Sequence, residues 1–180
     1  RSTAVEIFGK KLTMPYAISP TASAGLMSDR GEIALAKAAR RMGVPCTAAT
    51  SAVTPMEEIY EAAGGNLWFQ LYMWVDVKAR MAFVERVKAV GYDTLLVTVD
   101  GSVGANREHD RRNGFSMPLR YTPKLIAQVL ARPGWCARVL APQYLKRGPF
   151  TRANYPPEWG NKLTDLPNDH ALTKPDTQSW

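Results

Sequence analysis

The sequence predicts an α/β fold assembled from parallel βαβ units. Strand-like and helix-like segments alternate with a repeat of roughly 25 residues. The strand-like segments are short apolar runs, and hydrogen-bonding residues collect where each run ends.

Residues 13–20, TMPYAISP, form an apolar run closed by proline, expected as a first buried strand. The small-residue loop ASAGLMSDRG leads into EIALAKAARRMG, expected as a helix with Ile33, Ala34, Ala36, Ala38 and Ala39 apolar and Gly43 as its stop. PCTAATSAV is the second strand. TPMEEIYEAAGG reads as a helix with Thr54 as cap, Pro55 at the first position and Glu57 at the third, a capping-box pattern. NLWFQLYMW is the third strand. DVKARMAFVERVKAVGY is the clearest helix, with Ala79, Ala82, Phe83, Val87 and Val90 on one face. DTLLVTVD is the fourth strand and ends in an acid.

Two architectures fit this order, a doubly wound sheet and a (β/α)8 barrel. No G-x-G-x-x-G follows the first strand, so the dinucleotide-binding sheet loses its main support. A barrel needs eight strands and about 250 residues, so four strands in 180 residues supply half of one. Beyond Asp100 the alternation stops. GSVGANREHDRRNGFSMPLRY is polar and basic, and YTPKLIAQVLARPGW holds a short helix capped by Thr122 with Pro123 at its start. From 141 to 180, Pro, Asn, Asp and Thr recur with little periodicity. Residues 1–100 are therefore read as the first half of a barrel, and 101–180 as a long excursion after the fourth strand. Loops of that length are usually functional or mobile.

Composition narrows the classes. At 46% hydrophobic and 22% charged, the chain can bury a core. No run approaches the roughly 18 apolar residues of a membrane-spanning helix, and RSTAVEIFGKK has no signal-peptide apolar region. Cys46 and Cys136 are too few for a disulfide framework or a cysteine-built metal site, and are read as reduced thiols. The net charge of +7 is local: residues 101–160 hold ten basic and three acidic residues, whereas the rest of the chain balances 13 against 13. In that block the basic residues are interleaved with Tyr121, Ile126, Leu130, Trp135, Tyr144 and Leu145. The pattern suits an interfacial segment on an anionic membrane, with a solvated loop as the competing reading. No recognition fold accompanies the charge, so nucleic acid is not expected as a partner.

The strand ends carry Pro20-Thr21-Ala22, Ala49-Thr50-Ser51, Gln70-Leu71-Tyr72 and Thr98-Val99-Asp100. Gln70 and Tyr72 are two apart and point to one side of their strand, as do Thr98 and Asp100. In a parallel barrel, catalytic groups gather at these C-terminal ends. Polar pairs converging there suit a flat heteroaromatic ligand with several donors and acceptors.

The segments ISPTA, LWFQLYMW, LLVTVD and GANREHDRRNGF resemble those of the FMN-dependent 2-hydroxy acid dehydrogenase/oxidase family. The resemblance runs in order through residues 4–135 and is nearest to the mandelate and L-lactate dehydrogenase branch. It implies a (β/α)8 TIM barrel with FMN at the strand C-terminal ends, and no metal. Pro20, Thr21 and Ala22 would lie along the flavin, and Gln70 and Thr98 would hydrogen-bond its ring. Tyr72 would face the substrate and stabilise negative charge. Asp100 would hold the family's catalytic histidine, and Arg107 would take the substrate carboxylate on its planar guanidinium.

One position departs from the pattern: Ala49 stands where the family usually presents a serine, with Thr50 beside it. The catalytic histidine, a second arginine, a flavin-contacting lysine and the phosphate-binding strands are expected beyond residue 180, and a tyrosine before Arg1. His109 and His170 match neither the motif nor its place, and are expected in a solvated loop and a mobile segment. The implied activity is oxidation of an (S)-2-hydroxy acid to the 2-keto acid, with electrons passed to a membrane quinone. Implied with it are a homotetramer and a cytoplasmic location, peripheral on the inner face of the cell membrane. A peroxide-forming oxidase is the alternative within the family, and a lipid- or polyanion-binding fragment the alternative outside it.

Overall fold

The computed structural model describes residues 2–99, 108–115 and 118–165. It opens with an antiparallel hairpin that the sequence reading did not predict, β1 (Val5–Ile7) and β2 (Lys10–Leu12). Phe8 at φ 52 and Gly9 at φ 74 form its two-residue turn, the conformation that matches the right-handed twist of paired strands. Phe8 packs edge-on against Trp68 at 5.9 Å, Lys10 pairs with Asp93, and Thr13 N donates to Gly43 O at 3.1 Å. The hairpin therefore sits at the end of the sheet where the parallel strands begin.

Of TMPYAISP, only Ile18 joins the sheet, through an isolated parallel bridge to Cys46. Its N–H donates to Pro45 O at 2.9 Å and its carbonyl accepts from Thr47 N at 3.0 Å. The first predicted strand is thus reduced to one bridge. Pro15 and Pro20 flank it and bring no N–H, so they cannot extend the ladder.

Next comes α1 (Gly31–Met42), closed as predicted by Gly43 at φ 68 with its N–H on the Ala39 and Arg40 carbonyls. A Cβ on Gly31 would lie 2.4 Å from Ala24 O, so only glycine lets the helix start this close to the preceding turn. There follow β3 (Cys46–Ala49), α2 (Met56–Ala63), β4 (Leu67–Tyr72), α3 (Val77–Val90) and β5 (Thr94–Thr98). The three strands pair in parallel in the order β3-β4-β5. Right-handed crossovers between strands laid down in sequence order put every helix on the same side. One face is covered by helices and the other turns inward, which is a barrel wall. A doubly wound sheet reverses its order and is covered on both faces.

The core lies between the outer face and the helices. Phe69 stands edge-on to Phe83 at 5.6 Å and to Tyr92 at 5.2 Å, with Met56, Ile59, Leu67 and Leu71 buried around them. Phe83 and Val87 are buried on α3 as predicted, while Ala82 falls off the seam and is exposed. On β5 the outward residues Leu95 and Val97, and Val99 just past its end, stay 38%, 46% and 41% exposed.

Thr54 does not cap α2. Its hydroxyl donates to Glu32 Oε2 at 2.9 Å, and Pro55 occupies the cap position with no side-chain bond. The first-turn N–H of Met56 goes instead to Asn154 Oδ1 at 3.0 Å. A partner 98 residues away thus replaces the local capping box.

The excursion is more helical than expected. It contains α4 (Glu108–Asn113), α5 (Pro123–Leu130) and α6 (Pro133–Trp135), which runs through a π-helical turn, Cys136–Leu140, into α7 (Ala141–Arg147). Thr122 caps α5 as predicted, its Oγ1 accepting from Leu125 N at 3.2 Å. Trp135 Nε1 donates to Leu26 O at 2.8 Å and Arg147 pairs with Asp29, which ties this stretch to the loop after Ile18.

The chain then closes a loop. Thr151 bridges Lys162, Leu163 N donates to Phe150 O at 3.2 Å, and the guanidinium of buried Arg152 holds the carbonyls of Gly160 and Lys162 at 3.4 and 3.1 Å. This loop packs on the C-terminal rim of the sheet. Ala153 N donates to Ala52 O at 3.0 Å, and Trp159 meets Trp74 with ring centroids 4.8 Å apart.

Candidate functional site

Strand register decides which of the polar strand ends meet. Ala49 lies opposite Gln70, and Tyr72 opposite Thr98. Opposed residues of a parallel pair share a face, so these four point inward together. Gln70 is buried, while Tyr72 and Thr98 are half-buried.

The Gln70 carboxamide is fixed at both ends. Its Nε2 donates to Thr98 Oγ1 at 2.8 Å, and its Oε1 accepts from Thr50 N at 3.3 Å. The same Thr50 N–H also reaches the Gln70 backbone carbonyl at 3.2 Å. Thr50, fully buried, donates its hydroxyl to that carbonyl and accepts from Tyr72 N at 3.3 Å. Thr50 is therefore a strut between the ends of β3 and β4. Ala49 presents only a methyl to the inner face, so the expected departure stands: no hydroxyl is offered at that position.

Pro20, Thr21 and Ala22 are exposed on the segment leaving Ile18. Of the three, Thr21 lines a recess together with Ser19, Glu32, Thr47 and Ala49. Buried Glu32 accepts from Val53 N at 3.3 Å and from the Thr54 hydroxyl, holding the loop after β3 against the start of α1. The inner rim formed by Thr47, Ala49, Thr50, Gln70, Tyr72 and Thr98 carries no formal charge. Such a set can recognise a flat, neutral group by hydrogen bonds, with the small Ala49 leaving room beside it.

Asp100, Arg107 and His170 lie outside the described residues. His109 is exposed as expected but sits on α4 rather than in a loop, with Asn113 Nδ2 3.2 Å from its Nδ1. Cys46 and Cys136 are free thiols, and burial pushes Cys46 up to about 11, which disfavours its reactive thiolate form. One basic residue of the excursion turns away from lipid and water, since Arg152 is buried, while Arg147 pairs with Asp29 and stays exposed.

Sequence reasoning missed Asn154 and Tyr155. Asn154 is fully buried, and its Nδ2 donates to Ala49 O at 3.3 Å. Tyr155 Oη lies 3.2 Å from Ser51 Oγ. Nothing in their local spacing marks them. An Asn two residues before a Pro pair reads as ordinary turn or loop sequence.

A family model described as FMN-dependent dehydrogenase matches residues 1–172. Among curated relatives, an L-lactate dehydrogenase of Vibrio parahaemolyticus is 39% identical over 77% of this chain and 36% of its own length. The (S)-mandelate dehydrogenase of Pseudomonas putida is 34% identical over 75% of this chain and 34% of its own. Among solved structures, that of the monotopic membrane protein (S)-mandelate dehydrogenase superposes with a TM-score of 0.77 at 30% identity, covering 91% of this chain and 43% of the other. A mandelate oxidase with (S)-2-phenylpropionate matches at a TM-score of 0.62 and 39% identity, covering 65% and 35%. The chain spans about a third of the length of the curated relatives it matches. A barrel wall with a neutral, hydrogen-bonding inner rim agrees with a match that runs through almost the whole sequence, and the chain belongs to the FMN-dependent dehydrogenase family.

Proposed function

We propose that the full-length protein oxidises a small (S)-2-hydroxy acid, mandelate- or lactate-like, to the 2-keto acid with bound FMN. The observation that carries this reading is the Gln70–Thr98 pair on the inner rim, at 2.8 Å and uncharged. This donor set fits the edge of a flavin ring, which presents neutral donors and acceptors in alternation. Pro20, Thr21, Ala22, Gln70 and Thr98 would hold the cofactor. FMN, when bound, supplies the two-electron acceptor that no side chain can supply. Tyr72 would turn its phenol toward the substrate and stabilise negative charge there. Asp100 would orient a histidine base and stabilise its protonated form, and Arg107 would clamp the substrate carboxylate.

The test uses the full-length protein. It should purify yellow, and its visible flavin band should bleach on anaerobic addition of (S)-mandelate or L-lactate. Gln70→Ala and Thr98→Val should each weaken FMN binding about tenfold or more, since each removes a bond to a neutral group. A colourless protein that cannot be reconstituted with FMN would refute the reading in favour of a non-catalytic, polyanion- or lipid-binding chain.

Helices α5–α7 support the finer reading, a dehydrogenase lying on the inner face of the cell membrane and delivering electrons to a quinone. None of the three contains a buried residue, and Leu130 and Leu145 are 69% and 84% exposed beside Lys124, Arg132, Arg138 and Lys146. Among the described residues no helix is long and apolar enough to cross a membrane, so contact would be interfacial. The likeness to mandelate oxidase favours the competing oxidase, which would form hydrogen peroxide rapidly with substrate in air. A homotetramer belongs to the same reading.

A further inference from the structure

One run of hydrogen bonds crosses from the returning loop to the inner rim. Met56 N, in the first turn of α2, donates to Asn154 Oδ1 at 3.0 Å. Asn154 Nδ2 donates to Ala49 O at 3.3 Å. The same peptide unit continues through Thr50 N, which donates to Gln70 Oε1 at 3.3 Å, and Gln70 Nε2 donates to Thr98 Oγ1 at 2.8 Å. Every link donates in the same direction, and Asn154 and Gln70 are buried.

The direction is not arbitrary. A backbone N–H can only donate, so Met56 fixes which end of the Asn154 carboxamide is oxygen. The nitrogen then faces Ala49 O, which can only accept. The rigid peptide unit passes the polarity to its own N–H and so orients the Gln70 carboxamide. Thr98 must accept from Gln70, and a hydroxyl that accepts there offers its hydrogen onward. Links aligned in one sense polarise one another, which strengthens the last donor. The run also begins at the positive end of a helix, which pushes in the same sense.

We propose that Asn154 is a positioning residue for the cofactor site: through the 49–50 peptide and Gln70 it sets Thr98 as a hydrogen-bond donor to an acceptor atom of the flavin ring. This rests on the reading of Gln70 and Thr98 as FMN contacts. It goes beyond that reading by assigning the polarity of the contact and by placing its origin in the excursion, 105 residues beyond Ala49.

Asn154→Asp separates the two bonds Asn154 makes. The carboxylate still accepts from Met56 N and caps α2, but it has no donor for Ala49 O. Asn154→Ala loses both. In full-length holoenzyme, with the pH raised until FMN affinity stops changing so that the buried carboxyl has ionised, both variants should bind FMN at least tenfold more weakly. Both should also shift the flavin visible band. Both should lower the melting temperature of the apoprotein, Asn154→Ala by losing the cap and Asn154→Asp by burying a charge against the Ala49 carbonyl, so the flavin band is the readout that stability alone does not move. If Asn154→Asp matches wild type in FMN affinity and spectrum once its carboxyl is ionised, or if both variants lose affinity with the flavin band unshifted, Asn154 is a structural cap and the proposal falls. A wild-type protein that takes up no FMN overturns the functional reading first, and the inference with it.

Discussion

The two thiols show how burial alone assigns chemistry to a side chain. The thiolate is the reactive form, and Cys46, pushed up to about 11 by burial, holds almost none of it at pH 8. Cys136 is half-buried, its Sγ 3.2 Å from Val129 O in the outer helices. Native protein treated with a thiol-alkylating reagent at pH 8 should therefore carry label on the Cys136 peptide and not on the Cys46 peptide. Equal labelling rates, read by mass spectrometry, would contradict the buried placement. The linkage has the same sign. Because the folded value lies above the ordinary thiol value of 9.0, the contribution of Cys46 to stability is complete below pH 9 and is lost as pH rises through about 11. The common face of Gln70 and Tyr72 could be read from sequence because a two-residue spacing on a strand fixes it, whereas Thr98 joins them through strand register. Thr50 could not be read as a strut, nor Asn154 as a cap, because their partners lie 20 to 105 residues away.

Elements were legible where local chemistry had no competitor. Thr122-Pro123 starts α5 as the sequence says, since both residues act within one turn. At α2 the same kind of signal failed, because buried Glu32 takes the Thr54 hydroxyl and Asn154 takes the helix N–H. The β1–β2 hairpin went unseen because it is three residues on each side and its turn, Phe8-Gly9, carries only one of the usual turn residues. The outer helices make the clearest prediction at this scale. If α5–α7 lie on lipid, full-length protein should co-sediment with vesicles containing anionic lipid at low salt and be released as salt rises. Leu130→Glu combined with Leu145→Glu should reduce that binding at least tenfold while leaving FMN content unchanged, because neither side chain is buried. Binding that ignores both the salt and the double variant would remove these helices as the contact.

At the scale of the whole molecule, the barrel wall was legible because sequential βαβ units have one hand and one order. What lies on the wall's rim was not, because the closed loop around Arg152 has no periodicity to read. The charge follows the same division: the excess sits in the excursion, and two of its cations are used internally, on Asp29 and on the Gly160 and Lys162 carbonyls. One feature of the wall bears on its birth. The β3–β5 unit has short connections and can assemble as soon as its residues leave the ribosome, yet Leu95, Val97 and Val99 then stand in water along a strand with an unpaired edge among the described residues. The nascent chain should be a chaperone client at this point. A translation complex stalled with these residues just exposed should crosslink to a hydrophobic-surface-binding chaperone, and Val97→Lys should weaken the crosslink several-fold. A stalled chain that is left alone would mean the stripe is covered earlier than the strand order implies.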